Sequence, residues 1–126
     1  MADNNPYGEI FSKESANSEF GAVVNSFPMD SDLLRQLAEE TKNLIMFNLD
    51  NNELHILGDN RIPLFPANSA LDADIICKVF SKTIFIKLLD LGEDSTTSIE
   101  SRTDTITITN GDHTLELAAN CPPYCQ

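Results

Sequence analysis

The chain has no tryptophan, only five glycines, three cysteines, and eight lysines and arginines against twenty aspartates and glutamates, leaving a formal charge of −12 over 126 residues. Each shortage excludes something. Eight scattered cations cannot form the basic stripe that a nucleic acid demands. The same balance argues against anionic membrane surfaces. No run approaches the ~18 apolar residues of a bilayer span. So few glycines leave little material for a phosphate cradle. The Walker loop, G-x-G-x-x-G, H-E-x-x-H and G-x-S-x-G are all missing. Three cysteines, Cys77, Cys121 and Cys125, are too few and odd in number for a disulfide framework. The opening MADNNPYGEIF has neither a basic nor an apolar signal region. Together these features predict a cytoplasmic protein with no cofactor.

What remains suits a single domain. Hydrophobic residues make up 41% of the chain, enough for a core. Residues 1–19, rich in Asn, Ser, Asp and Glu, read as a mobile arm. Residues 20–120 form the domain and 121–126 a tail. No internal repeat is visible.

Phe20 to Phe27 is a short apolar piece, either an edge strand or a segment laid over the core. Helical spacing follows over 31–42, with Ser31 as the cap, Leu33, Leu34, Leu37, Ala38 and Thr41 on the buried face, and Asp30 and Asp32 at the positive end of the dipole. The period changes to two from Leu44 to Leu57. A turn at Asn51-Asn52 puts Ile45, Phe47 and Leu49 on one face with Leu54 and Ile56, and sets Asn48 against His55. A second hairpin turning at Asn110-Gly111 pairs Ile106 with Leu115 and Ile108 with His113. Its Thr105, Thr107 and Thr109 then lie on the wet side with Thr114 and Glu116. Thr96 to Arg102 reads as another strand.

The stretch 70–91 admits two readings. Ser69 and Asp72 suit a helix cap and Gly92 a helix stop. Yet Ile75, Ile76, Val79, Thr83, Ile84 and Ile86 are β-branched, and a hairpin at Ser81-Lys82 would set Ile75, Cys77 and Val79 opposite Leu88, Ile86 and Ile84. The pattern inclines to a strand over 83–89 and leaves 70–82 open. The predicted fold class is therefore α+β: a twisted antiparallel sheet of about five to seven strands with one or two helices on one face.

Few residues bear chemistry. His55, Asp59 and Arg61, around a strand end, are the candidates for holding a small ligand. In the proline-bounded loop, Ile62, Leu64 and Phe65 either cover the core or bind a partner. Cys77 reads as a small buried hydrophobe. Cys121 and Cys125, astride Pro122-Pro123, suit a small disulfide or two metal ligands, but a structural metal wants four, so no metal site is expected. His113 reads as a partly covered strand residue, and no catalytic residue is singled out.

The Leu33-Leu34-x-x-Leu37 spacing, followed by the hairpin around Asp50-Asn51-Asn52, resembles the roadblock family of small dimeric regulators. That likeness implies a roadblock/profilin-like α-β-β-α-β-β-β order and a homodimer. The small, acidic, α+β character is also similar to acidic secretion chaperones. A non-catalytic protein–protein interaction or regulatory module that self-associates, pairing through an exposed strand such as 112–118 or 83–89, is the expected function. The alternatives are a small ligand-binding protein or enzyme at His55, Asp59 and Arg61, and an acidic chaperone-like or decoy protein for a basic partner.

Overall fold

In the computed structural model, residues 8–12, 14–15, 18, 21–50, 53–66, 75–102, 105–116 and 119–121 are described. The first hairpin joins β3 (Leu44–Asp50) to β4 (Glu53–Leu57), and Phe47 faces Ile56 while Asn48 faces His55. This is the register that apolar parity requires, because a shift of one residue would set Phe47 against His55 instead of Ile56. The Asn51-Asn52 turn itself lies outside the described residues.

The remaining elements are β1 (Glu9–Ser12), β2 (Asn25–Asp30), α1 (Ser31–Glu39), β5 (Pro63–Phe65), β6 (Cys77–Ser81), α2 (Lys82–Gly92), β7 (Thr96–Ser101), β8 (Ile106–Asn110), β9 (His113–Glu116) and β10 (Ala119–Cys121). They form two five-stranded antiparallel sheets, β1-β9-β8-β7-β2 (sheet I) and β10-β6-β3-β4-β5 (sheet II). The α+β class and the antiparallel pairing hold, but the strands divide between two sheets instead of filling one. The roadblock order is not what is seen.

A repeat invisible in the residues appears in the topology. β2-α1-β3-β4-β5 and β6-α2-β7-β8-β9 follow one plan, a lead strand, a helix and a three-stranded meander. Each half lends its lead strand to the other's meander, β2 pairing with β7 and β6 with β3. The helix starts repeat the exchange: Ser31 N–H donates to Ser95 O (2.9 Å) and Lys82 N–H to Asn43 O (2.9 Å). The inward faces of both sheets and the two helices share one core, in which Phe47 packs on Phe80 and Phe85 with ring centroids 6.0 and 5.6 Å apart. Buried apolar area of this kind is the main favourable term in folding.

Several expectations need correction. Residues 83–89 are helical, not a strand, and no hairpin turns at Ser81-Lys82. The helix starts where β6 ends, so its buried face is Phe85, Leu88 and Leu89, with Thr83 and Lys87 exposed. It stops at Gly92, with Glu93 left-handed (φ 58). In α1 the cap is Asp30, whose Oδ1 accepts from Asp32 N–H at 3.0 Å. Ser31 is buried instead, and Leu33 is 36% exposed. The second hairpin turns at Gly111-Asp112, so Ile108 faces Leu115 and Asn110 faces His113. Gly111 carries the positive φ (60°) such a turn needs. Strand β9 is no edge, since β1 covers it. β1 itself falls within the predicted arm, and β10 reaches Cys121. Ser69, Asp72 and Cys125 lie outside the described residues.

Two of the terminal strands carry proline: Pro28 in β2 and Pro63 in β5. A proline nitrogen offers no donor, which blunts an edge against further pairing.

Candidate functional site

The turn after β4 is built on Asp59. Its carboxylate accepts the backbone N–H of Asn43 (Oδ2, 3.1 Å) and of Leu44 (Oδ1, 2.7 Å), and its own N–H donates to Thr41 Oγ1 (2.9 Å). Thr41 Oγ1 in turn donates to Leu44 O (2.9 Å). Gly58 permits this approach, because a Cβ there would stand 2.7 Å from Thr41 Oγ1. Asp59 thus ties the loop after α1 to the end of β4. Asn60 and Arg61 follow, both left-handed (φ 59 and 62).

Arg61 lies close enough to the buried Cys77, on the outer face of sheet II, for its charge and hydrogen bonding to act on the thiol. Burial pushes the Cys77 thiol above its ordinary value of 9.0, and Arg61 pulls in the other direction. His55 lies across from Asn48 on that face, and its Nδ1 is buried without a hydrogen-bond partner among the described residues. Asp59 therefore turns to the loop after α1, whereas His55 and the Arg61–Cys77 pair lie on the outer face of sheet II. A cleft of about 180 Å³ is lined by Thr41, Lys42, Asp59, Ile62 and Leu64 with Glu40 and Gly58, and His55 and Arg61 are not in its lining. The apolar trio of this loop also divides. Leu64 enters the core and Phe65 packs against it, whereas Ile62 is 59% exposed.

The second half has its own tie, which sequence reasoning assigned to a turn. Asn110 is fully buried. Its Nδ2 donates toward Ser31 Oγ (3.1 Å), Thr97 Oγ1 (2.7 Å) and Asp94 O (3.0 Å), while its Oδ1 accepts from Asp94 N–H (2.9 Å). The turn signal Asn-Gly concealed this role, and nothing in the spacing distinguishes a turn asparagine from a buried one.

The outer face of sheet I overturns another expectation. Thr107, Thr109, Thr114 and Glu116, expected to be wet, are buried with Glu100 and Arg102. Glu100 Oε1 accepts from Thr107 (3.0 Å), Thr109 (2.7 Å) and Arg102 Nη2 (3.3 Å). Arg102 Nε donates to Thr107 (2.9 Å), and its Nη1 to the carbonyl of Gly21. A buried charge pair needs such satisfaction of its remaining atoms. His113 borders a groove of about 470 Å³ between β1 and the Ile84, Lys87 and Leu91 side of α2.

These ties gather exposed acids at one end of the molecule. Asp30 and Asp32 begin α1, Asp90, Glu93 and Asp94 end α2, and Asp112 sits in the β8–β9 turn. They are held together by the bonds from Ser31 and Asn110 to residue 94 and from Ser31 to Ser95. Beside them opens a hollow of about 500 Å³ lined by Pro28, Met29, Asp30, Ser95 and Thr96. The nearby cation Arg35 is spent on Asp90 at 2.9 Å. Elsewhere Lys82 Nζ is bound to Thr41 O and Arg102 is buried against Glu100, so neither offsets the acids at this end. Among the described residues no cluster of three or more His, Cys, Asp and Glu side chains is placed to hold a metal, and no helix is long and apolar enough to cross a membrane. No family model, curated protein or solved structure matches this chain.

Proposed function

We propose that the chain is a non-catalytic, cytoplasmic protein–protein interaction module that presents its acidic end to a basic surface of a protein partner. The observation that carries this reading is the gathering of Asp30, Asp32, Asp90, Glu93, Asp94 and Asp112, all exposed and from separate segments, at the end of the fold tied by Ser31 and Asn110, with Asp30 lining the open hollow there. A second support is negative. Asp59, Asn110, Glu100 and Arg102, the polar groups best placed for chemistry, spend their hydrogen bonds on the fold. Complementary charge accelerates and orients encounter more than it adds affinity.

The same acids repel one another, so a homodimer would form through another face. The β1 edge, free of proline, suits it better than β2 or β5. A small-ligand reading at His55, Asp59 and Arg61 requires those three to share one ligand, and the Asp59 carboxylate is engaged by the Asn43 and Leu44 amides.

The test is binding to an immobilised lysine-rich peptide at low and moderate salt. Saturable binding that weakens steeply as salt rises, and is lost when Asp90, Asp94 and Asp112 become Asn, supports the proposal. Equal binding by the neutralised chain, or none by the native one, overturns it. Light scattering at micromolar concentration decides self-association separately.

A further inference from the structure

Strand β10 meets β6 antiparallel, with Ala119 opposite Val79, Asn120 opposite Lys78 and Cys121 opposite Cys77. Directly opposed residues of an antiparallel pair have Cα atoms ~4.5 or ~5.5 Å apart and share one face of the sheet. Both separations fall within the window of roughly 4.4–6.8 Å that a disulfide spans. We infer that Cys77 and Cys121 constitute a modification site, a cross-strand pair that hydrogen peroxide converts into a disulfide. This rests on the register alone and is independent of the proposed partner.

The chemistry balances. One thiolate attacks the peroxide, taking an oxygen to become a sulfenic acid and releasing water once the leaving hydroxide is protonated. The second sulfur then displaces that oxygen as a second water. The S–S bond replaces two S–H bonds, the thiols lose two electrons and the peroxide gains them. Access is the remaining requirement. Cys77 is fully buried, but β10 is a three-residue strand at the end of its sheet. Short terminal strands open locally at little cost in free energy. The bond would fasten that strand to β6, on the face where Arg61 reaches the Cys77 thiol. The competing pairing is Cys121 with Cys125 across the two prolines.

The decisive experiment treats the reduced full-length chain with hydrogen peroxide, alkylates the remaining thiols in denaturant, and maps unreduced peptides by mass spectrometry. A Cys125→Ser chain is run in parallel, because Cys121 and Cys125 fall in one tryptic peptide. The expected result is a thiol-reversible, intramolecular link from the Cys77 peptide to the C-terminal peptide, retained in Cys125→Ser and abolished in Cys121→Ser. Full alkylation of Cys77 after oxidation, a link that survives Cys121→Ser, or a link formed only between chains would overturn the assignment.

Discussion

The two halves of this chain share one plan and fasten it with different chemistry. After α1, the loop is held by a carboxylate, Asp59, gripping amide groups near the surface. After α2, the loop is held by a neutral amide, Asn110, wholly inside. The outer faces of the meanders differ in the same spirit. In sheet II, Leu44, Met46 and Leu57 join Cys77 and Val79 in an apolar cluster. In sheet I, threonines surround a buried Glu100–Arg102 pair. Topology therefore fixes which groups must be satisfied, and leaves open whether charge, amide or hydrocarbon satisfies them. The apolar solution tolerates loss of one member better, because a buried polar set fails as a unit.

The largest effect should come from breaking that polar set. Glu100→Ala strands the Arg102 guanidinium and should cost about 3–5 kcal/mol in urea unfolding. A Glu100→Leu, Arg102→Met double variant should recover much of that loss, and failure to recover it would mean the threonines, not the charges, dominate. Next comes the comparison of the two ties. Asn110→Ala should cost about 2–3 kcal/mol, since its buried partners lose their bonds, and Asp59→Ala about 1 kcal/mol, since water replaces the carboxylate. The reverse order would break the contrast between a buried and a surface tie.

A smaller effect is alkaline. The native thiol of Cys77 has a raised pKa, so stability is full below the ordinary 9.0 and falls as pH climbs past it, when the unfolded chain ionises and the buried thiol does not. The slope is at most about 1.4 kcal/mol per pH unit. It should vanish in a Cys77→Ala chain followed by urea midpoints across alkaline pH. The smallest effect concerns the left-handed residue closing α2. Glu93→Gly should raise stability by roughly 0.5 kcal/mol, the relief of positive φ exceeding the entropy lost. α1, whose cap Glu40 is right-handed, should be weakened by the matching Glu40→Gly change.

Legibility followed the same division. The β3–β4 register was readable because it matches Phe47 with Ile56 and Leu49 with Leu54 while setting Asn48 against His55. The α1 face was readable for Leu34, Leu37 and Ala38, which are buried. α2 was obscured because its frame restarts at Lys82, after a strand, and because Ile84 and Ile86 add β-branched bulk to a helix packed on several sides. The β8–β9 turn was misplaced by one pair because Asn110 is needed inside. Alternation correctly put Thr107, Thr109 and Thr114 on the outer side. What buries that side includes chain around Gly21, some eighty residues from Arg102, and no local pattern carries such information. At the candidate ligand residues, spacing suggested proximity, but Asp59 and Arg61 turn to different neighbours.

The exchanged lead strands have a consequence for synthesis. As the chain leaves the ribosome, β3 and β4 can meet early, but β3 stays open on its other side until residues 77–81 emerge. The departed β2 waits longer still, for residues 96–101. Nascent N-terminal chain thus carries exposed, unmatched backbone through most of its translation, the condition under which chaperones are recruited. Cooperative closure is deferred until the later half arrives to supply what the earlier one lacks.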